Sequence, residues 1–187
     1  ETTSHGIFRM LPSKKKPALR FSLDVETWGL DARKLAFGVI QNVDTLEQYV
    51  FYEFQDGKDW LQEKRKEYME INGISEKELK QAEKVDIKGR ILVATIEKVK
   101  YLDFKTLVPL PLSQIGEAMG YPKGITPMKF RIGDDSQGIT QEDIDYCIQD
   151  CLILSEAIKS LETTFKEWCD LPNDLSLPLT SASMAYK

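Results

Sequence analysis

Apolar and polar residues alternate through Leu19-Arg20-Phe21-Ser22-Leu23-Asp24-Val25-Glu26. A period of two predicts a strand with Asp24 and Glu26 on the same face. Residues 35–42 and 46–54 read as two further strands, the second rich in aromatic and β-branched residues, with Asn42 to Thr45 as the turn between them. Three successive strands predict an antiparallel meander. Residues 56–70, carrying Trp60, Leu61 and Tyr68, predict an amphipathic helix. Ser75 to about Val85 predicts a second, charged helix, with Ser75 as its cap and Glu78 three residues on. Ile87 to Ile96 and Lys98 to Phe104 read as strands. Pro109 and Pro111 break the chain, and Leu112 to Met119 predicts a short helix ended by Gly120. Residues 121–138, rich in Gly and Pro and holding the adjacent Asp134 and Asp135, read as a loop. The clearest helix follows. Thr140 caps it, Asp143 completes the capping box, and Ile144, Cys147, Ile148, Cys151, Leu152, Ser155 and Ile158 fall at helical spacing to about Trp168. Pro172 and Pro178 mark an exit segment.

Composition narrows the class. With 187 residues, 42% of them hydrophobic, the chain is long enough for one α/β domain with a sizeable core. No apolar run approaches the length of a membrane span. A formal net charge of −5 argues against coating nucleic acid by bulk charge and leaves room for a local basic patch. The single histidine, His5, rules out a multi-histidine zinc site and argues against a Ser-His-Asp triad. Cys147, Cys151 and Cys169 form no C-x-x-C pair, and the first two read as small core residues on one helix face. This cysteine usage fits a reducing, cytoplasmic setting. Residues 1–18, with the run Lys14-Lys15-Lys16, read as a leader or flexible N-terminus. The chain starts with Glu, shows no signal-peptide pattern, and reads as a fragment or a processed product.

Two constellations carry chemistry. Asp24 and Glu26 put two carboxylates on one face of a strand, where burial and mutual repulsion both oppose their ionisation. Hard divalent cations relieve that cost, because Mg²⁺ and Mn²⁺ take carboxylate oxygens. Tyr146 and Asp150 stand four apart on the best helix, side by side. Alone, that pair reads as a solvated helix face. Together, Asp24, Glu26 and Asp150 supply enough carboxylates to hold two metal ions about 3.5–4 Å apart for phosphodiester hydrolysis, with the Tyr146 hydroxyl holding the attacking water.

These motifs bring a family into view. Leu23-Asp24-Val25-Glu26-Thr27 resembles the first motif of the DEDDy 3′–5′ exonucleases, and Tyr146-x-x-x-Asp150 resembles their third. The surrounding residues are similar to one branch, the protein-primed family B DNA polymerases of phages and linear plasmids. Thr106-Leu107-Val108-Pro109-Leu110 fits that branch's T/S-L-x-x-hydrophobic motif. Its K-x-x-hydrophobic motif is matched by context at Lys123, with Thr126 in the apolar place, and by pattern at Lys129 with Ile132. Leu179-Thr180-Ser181-Ala182-Ser183 resembles the stretch that joins exonuclease to polymerase palm. The resemblance covers roughly residues 19–187. It implies a ribonuclease H-like mixed sheet, an antiparallel meander plus further strands, flanked by helices. It implies proofreading hydrolysis at a DNA 3′ end with two Mg²⁺ or Mn²⁺ ions, releasing nucleoside monophosphates. Asp24, Glu26 and Asp150 would be metal ligands, with Tyr146 catalytic beside them. Thr27, Thr106, Leu107, Lys123 and Lys129 would touch DNA. The implied partners are a single-stranded DNA 3′ end, a polymerase domain in the same parent chain and a terminal protein, with no membrane.

The chain also departs from the family. None of Asn42, Asn72 and Asn173 opens the second motif, an Asn-x-x-x-Asp-like run with an aromatic residue just before the aspartate. A strand and helix carrying it belong between about Asp59 and Arg90, where the text is charged and unlike it. Asp103 lies next to Thr106, but the family does not use that position as a metal ligand, and only robust Mg²⁺-dependent digestion would imply that Asp103 or Asp86 has taken the missing place. On this reading residues 1–18 lead into an exonuclease-like domain at 19–171, and 172–187 exit toward a palm that the sequence lacks. Two alternatives stand beside it. One is an exonuclease-like module of impaired activity that binds single-stranded DNA or a protein partner. The other is a different ribonuclease H-like nuclease.

Overall fold

In a computed structural model, residues 19–30, 34–73, 87–88, 90–91, 93–96 and 99–169 are described. The alternating stretch forms β1 (Phe21–Thr27), which pairs antiparallel with β2 (Leu35–Asn42); β2 pairs antiparallel with β3 (Gln48–Phe51). The sheet order is β1-β2-β3, so β1 is an edge strand among the described residues. The turn from β2 to β3 is built by Asn42, whose Oδ1 accepts the amides of Asp44 and Thr45 at 2.9 and 3.0 Å. β3 is shorter than expected because helix α1 (Phe54–Asn72) begins directly after it.

Two helices sandwich this sheet. α1 covers one face, where Ile40, Phe51 and Leu61 form a core with Phe21, Tyr49 and Trp60 against it. Trp60 stacks on Tyr49 at 5.2 Å and meets Phe21 edge-on at 5.4 Å. The long helix α4 (Gln141–Cys169) covers the other face. There Phe37, Val39, Cys147 and Cys151 are buried with Phe130. β1 lies inverted relative to an ordinary amphipathic strand. Ser22 on its helix-facing side is buried, while Leu23 and Val25 are 40% and 38% exposed. Its polar side is therefore directed at α4.

Four short strands follow α1 along the chain. β4 (Ile87–Lys88) and β5 (Arg90–Ile91) form one two-stranded ladder, and β6 (Val93–Ile96) and β7 (Val99–Leu102) form another. Among the described residues neither joins the main sheet, so the further strands expected for one mixed sheet stand apart. β7 stops short of Phe104 because Asp103 caps a 3₁₀ turn, Phe104–Thr106, by accepting the Lys105 amide at 2.9 Å. Helix α2 (Leu112–Met119) ends at Gly120 in the left-handed conformation, as its sequence predicts. It packs Ile115 on Ile153 and Ala157 of α4. Close approach requires Gly116, where a β-carbon would stand 2.3 Å from the Tyr121 carbonyl oxygen.

The expected loop at 121–138 holds a helix that periodicity missed, α3 (Met128–Ile132), and a 3₁₀ turn at Asp135–Gln137. Five residues make too little helix to show a period. Tertiary contacts hold it: the Gly29 amide donates to the Phe130 carbonyl at 2.8 Å, and the Phe130 ring packs on Trp28 and Phe37. The helix expected at 75–85, the leader at 1–18 and the exit segment at 172–187 lie outside the described residues. So do residues 74–86 and 89 of the interval expected to carry the second motif; its first part, through Asn72, belongs to α1.

Two substitutions test this packing. Gly38 on β2 lies under the Phe51 ring, and a β-carbon there would meet Phe51 Cζ at 2.3 Å. A β-carbon on Gly57 of α1 would likewise stand 3.1 Å from the same ring, so the ring has little room to yield. Gly38→Ala is expected to lower stability by about 1–3 kcal/mol in urea unfolding, with partial recovery in combination with Phe51→Leu. Lys129 on α3 pairs with Asp143 at the start of α4, both buried. Lys129→Met leaves that carboxylate without its counter-charge, and is expected to cost about 3–5 kcal/mol by the same measurement.

Candidate functional site

The polar side of β1 and the facing side of α4 meet over a short stretch. Asp24 and Glu26 come from β1, and Tyr146 and Asp150 stand one turn apart on α4. The capping box that starts α4 is formed. Asp143 Oδ2 accepts the Thr140 amide at 2.6 Å and its hydroxyl at 2.8 Å. The same oxygen takes the ammonium of Lys129. Burial opposes Asp143 ionisation, but Lys129 and the Thr140 donors outweigh it and hold the carboxyl below its usual range. This junction fixes where α4 begins relative to α3, and so sets the phase of Tyr146 and Asp150.

The loop before α3 delivers a cation to them. Lys123 Nζ donates to the Tyr146 hydroxyl at 2.6 Å and to Asp150 Oδ2. It lies 4.5 Å from the Tyr146 ring centre. Thr126 Oγ1 shares a hydrogen bond with the same hydroxyl at 2.8 Å. The loop can pass this close because residue 124 is glycine; a β-carbon there would stand 3.0 Å from Tyr146 Cδ2. Burial works against the charge of Lys123, yet its bonds to Asp150 and Tyr146 hold its pKa above the ordinary value. Burial pushes the Tyr146 phenol up, against the opposing pull of Lys123 and Thr126.

The carboxylates are strongly coupled. Burial raises Asp24 to about 6, with the Cys147 thiol opposing and Asp150 adding to the rise. Glu26 is raised to about 7, by burial first and then by the charge of Asp24. Cys147 Sγ donates to Asp24 Oδ2 at 3.1 Å. Burial and the adjacent Asp24 drive that thiol far upward, so it stays protonated. Asp150 is 2% exposed, and its second oxygen, Oδ1, is buried with no hydrogen-bond partner.

The structure thus brings Asp24, Glu26, Asp150, Tyr146 and Lys123 together. Thr27 stands at the end of β1, its hydroxyl donating to the Gly29 carbonyl at 3.1 Å. Other expected DNA contacts are placed differently. Lys129 is buried, donating to the Gly138 carbonyl at 2.9 Å and to Asp143, so it is not available to a phosphate. Leu107 is buried at 5% exposure and packs inside the fold. Thr106 ends the 3₁₀ turn, and its side chain lies outside the described residues. Sequence reasoning gave Thr126 no polar role, because it stands in the apolar place of the Lys123 motif, and it missed the Cys147 contact, because Cys147 reads as a small core residue.

The donor chemistry fits a divalent cation. Coupled, desolvated carboxylates whose pKa values are pushed up, and a buried carboxylate oxygen without a partner, are what a hard cation relieves. Among the described residues no three His, Cys, Asp or Glu side chains are grouped so that they could hold a metal ion as they stand, and Lys123 supplies the positive charge beside Asp150.

The raised carboxyl pKa values have a sign. Where unfolded Asp and Glu are ionised, near pH 4 and above, native Asp24 and Glu26 still carry protons until about 6 and about 7. The native state binds more protons in that window, so the metal-free protein loses stability as pH rises through it. Urea midpoints measured between about pH 4 and pH 8 are expected to fall, and to fall less in Asp24→Asn with Glu26→Gln. An equally steep fall in that double variant would show the coupling is not at this site.

No protein-family description matches the chain, and no curated protein does. Among solved structures, the chain is similar to the phi29 DNA polymerase complexed with primer-template DNA and incoming nucleotide substrates. The TM-score is 0.55 at 16% identity, covering 90% of this chain and 34% of the polymerase chain. The likeness is therefore one of fold, and the chain spans about a third of the polymerase's length. No helix among the described residues is long and apolar enough to cross a membrane. By its fold, this is a mixed α/β chain similar to part of that polymerase structure.

Proposed function

We propose that residues 19–171 are a ribonuclease H-like 3′–5′ exonuclease domain of a protein-primed DNA polymerase, and that 172–187 lead toward its polymerase region. The observation that carries this reading is the joint on α4. Tyr146 and Asp150, read from sequence as a third exonuclease motif, share one lysine and face the Asp24–Glu26 strand. The fold likeness to the phi29 polymerase supports the same assignment.

On this reading Asp24, Glu26 and Asp150 hold Mg²⁺ or Mn²⁺. Bound there, the cation supplies Lewis acidity to the scissile phosphodiester and to the water that attacks it. The chain's own groups do the rest. Lys123 holds the Tyr146 hydroxyl in place and offers its ammonium to the non-bridging oxygens of the phosphate. Thr126 fixes the same hydroxyl from the other side, so that Tyr146 can orient a water. Thr27, at the mouth of β1, offers a hydroxyl to the terminal nucleotide. A frayed 3′ end suits this site, because an unpaired strand can part its terminal nucleotide from the duplex and bring the phosphodiester to these side chains.

The missing second motif bears on activity. Asp103 caps the 3₁₀ turn after β7 by accepting the Lys105 amide. With three carboxylates instead of four, hydrolysis is expected to be slow. The test is stepwise shortening of a 5′-labelled single-stranded oligonucleotide in Mg²⁺ or Mn²⁺, DNA against RNA. Asp24→Ala and Asp150→Ala are expected to lower the rate by at least about 10²-fold, and Tyr146→Phe by about 10-fold to 10²-fold. A wild-type rate equal to that of Asp24→Ala would sink the exonuclease reading and leave a binding module. Preference for RNA would point to a different nuclease of the same fold.

A further inference from the structure

α4 turns a stripe of small polar side chains toward the sheet. Cys147, Cys151 and Ser155, spaced by one turn, are each fully buried. Cys151 Sγ donates to the Val39 carbonyl at 3.4 Å, and Ser155 Oγ shares a hydrogen bond with Ser22 Oγ at 3.0 Å. Those two contacts end on backbone or on a neutral hydroxyl. The contact of Cys147 ends instead on Asp24 Oδ2, at 3.1 Å. Alanine or valine would fill the same space, but neither would donate.

The consequence is geometric. Cys147 follows Tyr146 and precedes Asp150 by three residues on one rigid helix. A thiol on that helix grips the carboxylate of the opposite strand, so Asp24 is indexed to the two site residues α4 carries. Like charges on Glu26 and Asp150 push the Asp24 carboxylate away, and a single donor on its Oδ2 resists that push. A freely turning carboxylate would lose orientational entropy each time it took up a cation. A held one has already lost it.

We infer that Cys147 is a positioning residue, whose S–H orients Asp24 for cation binding and thereby supports turnover without touching the nucleic acid. This rests on the exonuclease reading, and its test separates the two. The variants are Cys147→Ser, which keeps a donor, and Cys147→Val, which keeps apolar bulk and removes it, each checked for cooperative unfolding. In the metal-free full chain, the infrared S–H stretch that disappears in Cys147→Val is expected to shift upward in Asp24→Asn, reporting the bond itself. Free Mn²⁺ read by electron paramagnetic resonance is expected to show binding about 10-fold weaker in Cys147→Val, as for other partners that orient a metal ligand. Cys147→Ser is expected to bind as the wild type does. Turnover of a single-stranded DNA oligonucleotide is expected to fall in kcat, with KM unchanged, in the valine variant alone. Wild-type Mn²⁺ affinity in Cys147→Val, or equal loss in the serine variant, overturns the inference while leaving the exonuclease reading intact. A wild-type protein that neither binds Mn²⁺ nor digests DNA overturns both, and the S–H shift then shows whether the contact itself was real.

Discussion

The burial of a strand's polar side against a helix is the constraint from which the rest of this structure follows. β1 directs Ser22, Asp24 and Glu26 toward α4 and leaves Leu23 and Val25 exposed. Desolvating carboxylates is costly, and the cost grows when they repel one another. The fold meets it with small donors on α4 and with a lysine brought in from a loop. Small side chains at Cys147, Cys151 and Ser155 let the helix lie close to the strand. Their hydrogens satisfy groups that a purely apolar helix face would leave unpaired.

Two lysines in the same loop show how strictly position decides role. Lys123 and Lys129 are six residues apart and both compete, by sequence, for one family motif. Lys129 sits on α3 with its ammonium against Asp143, where it joins α3 to the start of α4. That junction anchors the far end of the loop, while Gly120 and the close packing of α2 anchor its near end. Held at both ends, the loop passes over Tyr146 at Gly124 and places Lys123 on Tyr146 and Asp150. The structural lysine thus serves the site at a distance, by placing the other.

The fold is kept at 16% identity to the phi29 polymerase over 90% of this chain. A layered core tolerates wide exchange of apolar side chains as long as volume and pattern survive. A constellation of charged groups does not, because each depends on particular partners. The character of the site therefore lies in Asp24, Glu26, Lys123, Tyr146 and Asp150 and their contacts, and the fold supplies only the frame.

The sequence by itself determined the elements whose cause is local. Alternation set β1, the Asn42 turn followed from an Asx side chain bonding its own backbone, Gly120 ended α2, and the Thr140–Asp143 box began α4. It also marked Asp24, Glu26, Tyr146 and Asp150, because periods of two and of 3.6 residues place side chains on faces without any knowledge of the fold. Tertiary structure alone decided the rest. α3 is too short to hold itself by its own helical bonds and depends on Gly29 and the Phe130 ring packing on Trp28 and Phe37. The further strands pair among themselves, the buried positions of Leu107 and Lys129 withdraw them from the surface, and Cys147 reaches a carboxylate 123 residues away in sequence. Each of these depends on how closely and in what phase two distant elements pack, and no short-range pattern encodes that distance.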